Sequence, residues 1–157
     1  DQAMAVKFIK QLSELFRYVL DSRDKELVPL SDELAFMNSY IYLLKTRFEE
    51  KIELKVELEA EPDDLIVPMS LQLLIENAVK HNEVSEAFPL HIRIRRNGMY
   101  IEVENSLRVK PVGEDSKNTG LKNIIQQFSY FTDTPVEVRD SDGKFLVRVP
   151  VLKASAK

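Results

Sequence analysis

Hydrophobic and polar positions recur with two periods along this chain, and the switches between them mark its elements. Ala5, Phe8, Leu12, Phe16 and Val19 fall three or four residues apart, which predicts a helix ended by Asp21, Ser22 and Asp24. Pro29 and Ser31, followed by Asp32 and Glu33, predict the start of a second helix. A serine side chain and early carboxylates complement the free N–H groups at such a start. Within it Leu34, Met37, Ile41, Leu44 and Phe48 keep a seven-residue repeat, the period of a bundle seam. Two readings stay open. The pair is an amphipathic hairpin packed on its own domain, or its stripes pair with a second copy.

From Lys51 the period becomes two. Ile52, Leu54, Val56 and Leu58 alternate with charged residues, the pattern of a half-buried strand. Residues 61–64 read as a turn. Leu71, Leu74, Ile75 and Ala78 then form the stripe of a helix over 71–82. Leu90, Ile92 and Ile94 alternate with His91, Arg93 and Arg95, and Asn97-Gly98 predicts a hairpin turn into a strand carrying Ile101 and Val103. Residues 106–118 are polar and hold Pro111 and Gly113; a loop this long is usually functional or disordered. A helix over about 119–131 buries Leu121, Ile124, Ile125 and Phe128. Two strands follow, one with Val136 and Val138 and one with Phe145, Val147 and Val149, joined at Asp142-Gly143 and ended by Pro150.

This order predicts an α+β fold: a helical hairpin, then a two-layer α/β sandwich with helices on one face of a mostly antiparallel sheet. Hydrophobic residues make up 44% of the 157, enough to build a core, so disorder is not expected. With 22 basic against 26 acidic residues the net charge is −4, which argues against nucleic-acid binding by bulk charge. Arg93, Arg95 and Arg96 are better explained as the wet face of a sheet than as a nucleic-acid contact. The absence of cysteine excludes disulfides and thiolate metal sites. No apolar run is long enough to span a membrane. Asp1 leads almost at once into helical periodicity, so the expectation is a segment of a longer protein.

The stretch LQLLIENAVKHN, Leu71 to Asn82, concentrates the chemistry. Asn77, Lys80 and His81 share one face of the helix, and Gln72, Glu76 and Lys80 form the row beside it. Asparagine is a poor residue in mid-helix, and beside an apolar stripe its amide needs a partner. Its oxygen suits Mg2+, and Lys80 one turn on suits a phosphate. The plainer readings are an ion pair from Glu76 to Lys80 and a dipole partner in His81. The residues alone leave a solvated face and a ligand site both open.

The longer stretch VPMSLQLLIENAVKHN, Val67 to Asn82, closely resembles the N-box of sensor histidine kinases of the LytS type. FRYVL (Phe16 to Leu20), VPLSDEL (Val28 to Leu34) and YIYLLKTRF (Tyr40 to Phe48) resemble the segment after the start of that family's phosphoacceptor helix, and TGLKNI (Thr119 to Ile124) resembles its second glycine box. The resemblance covers nearly the whole chain in the right order. It implies a Bergerat-type ATP-binding domain over residues 50–157, preceded over 1–49 by part of a dimerising helical segment. It implies ATP and Mg2+ as cofactors, with Asn77 as the metal ligand. Glu76 and Asn77 would be the catalytic residues of the motif, and Lys80, His81, Asn105, Thr119, Gly120 and Leu121 would contact nucleotide, with residues 106–118 as a lid.

By the same resemblance the chain is the catalytic part of a protein-histidine kinase that phosphorylates a histidine upstream of it, and then a response regulator. The partners implied are ATP, the regulator and a second copy held through the N-terminal helices, and no nucleic acid. The setting implied is the cytoplasmic side of a membrane-anchored parent. The chain also departs from the pattern. Asn105 stands where the family's adenine-reading Asp is usual, the glycines of the first box are missing, Asn118 replaces the first glycine of the second, and Leu73 replaces a second Asn. These departures keep an alternative in view: a degenerate, non-enzymatic scaffold that signals by dimerisation.

Overall fold

In the computed structural model, which describes residues 1–110 and 119–154, the two opening periods become helices α1 (Gln2–Ser22) and α2 (Leu30–Phe48), packed on each other. The chain continues through β2 (Ile52–Glu57), α3 (Ser70–His81), β4 (Leu90–Asn97), β5 (Tyr100–Ser106), α4 (Thr119–Ser129), β6 (Glu137–Ser141) and β7 (Lys144–Pro150). Three very short strands complete it: β1 (Val28–Pro29), β3 (Asp64–Ile66) and β8 (Leu152–Lys153).

The main sheet runs β2-β4-β5-β7-β6. Its strands are antiparallel except β2 and β4, which pair in parallel from Ile52↔Leu90 to Glu57↔Arg95. A parallel pair needs a crossover, and the segment carrying β3 and α3 supplies it. The inner face brings Leu90, Ile92, Ile94, Ile101, Val103, Val147 and Val149 into one buried cluster with Leu71, Leu74, Ile75 and Ala78 of α3 and Leu121, Ile124 and Phe128 of α4. Leu30, Met37 and Leu44 of α2 belong to the same cluster. The predicted helices-on-a-sheet sandwich is therefore the observed one.

The outer face is a ladder of opposite charges: His91 to Glu53, Arg93 to Glu57, Arg95 and Arg148 to Glu102, and Lys144 to Glu104. Arg93 and Arg95 thus lie on a wet face, as their alternation predicts. Arg96 does not. It crosses to the fully buried Asp64, donating to both carboxylate oxygens, and Lys153 joins Asp64 from the other side at 2.6 Å. Lys153 also meets Glu61 at 2.7 Å and Asp63 at 3.0 Å, so this acidic trio already holds an ammonium group.

Several local expectations need correction. The second helix starts at Leu30 with Pro29 as its N-cap and no side-chain cap bond, so Ser31 does not cap it. Glu33 is not an exposed first-turn acid; it is fully buried and bonded elsewhere. In β2 only Ile52 is buried and Val56 is 36% exposed, because this is an edge strand. The first hairpin is shifted by one residue: Asn97 pairs with Tyr100, so the turn residues are Gly98 and Met99, and of these Gly98 takes the positive φ of 60°. Ile125 is 40% exposed and lies off the buried stripe of α4. Pro150 does end β7 as expected, and the chain then adds the unanticipated β8, in which Leu152 pairs with Leu65. The small sheet β1-β3-β8 was not anticipated at all, because strands of two or three residues show no period.

Candidate functional site

The helix α3 presents its polar residues to two cavities. The first has a volume of about 140 Å3. Asn77 and His81 of α3, Asn105 at the end of β5 and Leu121 of α4 line it. Its walls are otherwise largely apolar: Leu74 and Ala78 of α3, Val103 and Leu107, and Phe145 and Val147 of β7. A small, mostly apolar slot with a few convergent amides is the general make-up of a small-molecule pocket.

Asn77 is half-buried, and among the described residues its amide makes no hydrogen bond. It lies against α4: a methyl group added at Gly120 would sit 3.6 Å from Asn77 Oδ1 and 3.8 Å from Nδ2. These are ordinary contact distances, so Gly120 is not required by packing against the asparagine. Thr119 and Gly120 form the first turn of α4, beside Leu121. Asn105 is 4% exposed, and its Nδ2 donates to the carbonyl of Ser106 at 2.9 Å, which leaves its Oδ1 as an acceptor. Asn105 and Asp140 both pair with Phe145, so the three side chains share the inner face of the sheet. Burial, then the positive charges of Lys80 and Lys110, push the His81 pKa down, which keeps its imidazole neutral at pH 7.

Glu76 and Lys80 do not join this group. They line a second cavity of about 450 Å3 together with Arg47 and Tyr40 of α2 and with Lys110. The sequence had placed Lys80 on the face of Asn77, and the structure turns it toward α2. The predicted Glu76–Lys80 ion pair is absent among the described contacts; Glu76 instead accepts from Gln72 Nε2 at 2.7 Å. Leu73, at the position of a second family asparagine, is half-buried against the core. Most of the predicted lid, residues 111–118, lies outside the described residues, and so does Asn118.

Two lining residues escaped sequence reasoning. Asn82, the C-cap of α3, is 2% exposed. Its Nδ2 donates to Ala78 O at 2.9 Å and its Oδ1 accepts from Arg108 N at 2.8 Å. Around it Glu83 N donates to Arg108 O and Lys110 N to His81 O, so the end of α3 is sewn to residues 108–110. An asparagine just past a helix end was the available signal. Asp140 reaches the cavity only through the pairing of β6 with β7, which leaves no local mark.

Residues 1–52 match the family model described as Histidine kinase. The Sensor protein LytS of Bacillus cereus is 34% identical over 149 residues, 81% of this chain and 24% of that protein. The Sensor protein LytS of Enterococcus faecalis is 26% identical over 94% of this chain and 27% of its own length. The chain thus spans about a quarter of these relatives. The solved cytoplasmic segment of the histidine kinase QseC aligns with a TM-score of 0.55 and 19% identity, covering 98% of this chain and 96% of that one. The fold, a helical N-terminal part followed by an α/β sandwich, is thus like that of this histidine kinase cytoplasmic segment. By sequence the chain belongs to the sensor histidine kinases, and the relatives it matches include those named LytS.

Proposed function

We propose that this chain is the ATP-binding catalytic part of a LytS-type sensor histidine kinase, with residues 1–49 contributing to its dimerising helices. Its product would be a phosphohistidine outside these residues, passed on to a response regulator. Its setting would be the cytoplasmic side of a membrane-anchored parent. No helix among the described residues is long and apolar enough to cross a membrane.

The observation that carries the reading is the Asn77 amide, facing the cavity with no protein partner among the described residues. The donor set fits the implied metal: a neutral oxygen donor, with room left for water and phosphate oxygens, suits Mg2+. When bound, Mg2+ supplies charge neutralisation at the phosphates. The apolar walls exclude water from the base, and Asn105 and Asp140 offer acceptors on the inner face of the sheet. Lys80 would reach the phosphate end from the neighbouring cavity, with Arg47 and Lys110 beside it. The chain's work is positioning and electrostatics, as expected for phosphoryl transfer.

The test is calorimetric titration of a non-hydrolysable ATP analogue with Mg2+. Saturable binding is expected, weakened about tenfold or more by Asn77→Asp, which sets a second negative charge beside the phosphates, and by Lys80→Ala. No heat at millimolar ligand would favour the scaffold reading, which the neutral Asn105 in place of an adenine-reading Asp supports.

A further inference from the structure

The start of α3 is held from outside its own segment. Met69, its N-cap residue, has φ 61° and makes no side-chain cap bond, and the Ser70 hydroxyl turns back to Val67 O. The free N–H groups go to Glu33 of α2: Met69 N donates to Oε2 at 3.0 Å and Leu71 N to Oε1 at 3.2 Å. A third donor, the Tyr18 hydroxyl of α1, also binds Oε2. Tyr18 is fixed by stacking on Phe36 of α2, with ring centroids 4.3 Å apart. Glu33 itself is 0% exposed, and no Lys or Arg pairs with it among the described residues.

This is a costly way to cap a helix. A serine or aspartate N-cap in the usual extended conformation would do it locally, without burying a carboxylate. Burial pushes the Glu33 pKa up, and the bonds from Tyr18, Met69 and Leu71 oppose that rise. Burial and then Glu33 push Tyr18 up as well, so its hydroxyl stays a donor. What the remote cap achieves, and a local one would not, is a continuous link. It runs from α1, through one carboxylate on α2, to the first turn of the helix whose later turns carry Asn77 and His81.

We propose that Glu33 is a positioning residue through which Tyr18 sets the placement of α3, so that a shift of α1 that breaks the Tyr18–Glu33 bond lowers nucleotide affinity at Asn77. The proposal rests on the nucleotide reading above. Coupling of this kind is reciprocal: bound nucleotide would in turn favour the α1 position that keeps the bond.

The test compares Tyr18→Phe and Glu33→Gln with a control, Ile52→Ala, which trims a buried residue of the edge strand β2. Two quantities are read on the folded fraction: the Kd for the Mg2+–ATP analogue, and the NMR position of the Asn77 side-chain amide without ligand. Tyr18→Phe is expected to weaken binding about threefold to tenfold, the scale of one lost hydrogen bond, and to move the Asn77 resonance. Glu33→Gln should do more. Ile52→Ala should lower Tm and change neither reading. If Tyr18→Phe and Glu33→Gln lower Tm but leave both readings at wild-type values, the residues are merely structural and the coupling is wrong. If Glu33→Gln does not fold, the conservative Tyr18→Phe decides alone. If the wild type binds no nucleotide the functional reading fails, while the Asn77 resonance still tests the link from α1.

Discussion

Replacing Asn82 by alanine is the sharpest probe of how the pocket is framed. The side chain makes two hydrogen bonds, to Ala78 O at 2.9 Å and from Arg108 N at 2.8 Å, and is 2% exposed. Each bond is worth about 1 kcal/mol net, and leaving shielded partners unsatisfied adds to that, so Asn82→Ala should cost about 2–3 kcal/mol. The loss should also be local. Amide exchange at Arg108 and Lys110 should speed up, because those residues are held to the end of α3 through Asn82 and its neighbours. Asn82→Asp separates the two bonds. The carboxylate still accepts from Arg108 N but cannot donate to Ala78 O, and it sets an anion at a helix C-terminus, which is unfavourable. Stability should fall in both variants, with Arg108 exchange faster in the alanine variant alone. Urea unfolding gives the first quantity and hydrogen exchange the second. A loss below about 0.5 kcal/mol with unchanged exchange at Arg108 would show that Asn82 does not anchor this segment.

Two further outcomes test the frame. Burial alone would raise the Asp64 pKa, but the bonds from Arg96 and Lys153 outweigh it and hold the carboxyl at about 2, against an ordinary 3.8. A depressed pKa contributes stability that is present above about pH 4 and is lost as pH falls through about 2, here on the order of 2 kcal/mol. Acid unfolding followed in urea should therefore drop less steeply between those limits in Asp64→Asn than in the wild type. Phe128, 1% exposed where α4 meets the core, should cost about 3–5 kcal/mol as Phe128→Ala, read from the urea midpoint.

Much of this protein could be read along the chain. Where burial follows a period, the period names the element. The stripe Leu71, Leu74, Ile75, Ala78 is wholly buried, and the turn at Asp142-Gly143 has the two positive φ values its residues favour. The motif around Asn77 was legible because an amide beside an apolar stripe conflicts with its local setting, and such conflicts gather at sites. The resemblance to sensor histidine kinases rested on that motif together with the stretches at 16–20, 28–34, 40–48 and 119–124, and the family model matches residues 1–52.

What the chain alone could not show depends on contacts between residues far apart in sequence. Strands β1, β3 and β8 are too short for a pattern and exist because they pair with one another. Glu33 looked like a first-turn acid of its own helix; only the approach of α3, more than thirty residues on, makes it a cap. Asn77 and Lys80 lie one turn apart, yet packing against β5 and α4 on one side and α2 on the other sends them to different cavities. Local periodicity determined which faces of α3, β4, β5 and β7 are buried, but not those of α1, whose Phe8 and Phe16 stay exposed, or of the edge strand β2. Tertiary packing decided what each polar group on those faces would meet, because a side chain's partner is set by whichever element arrives beside it.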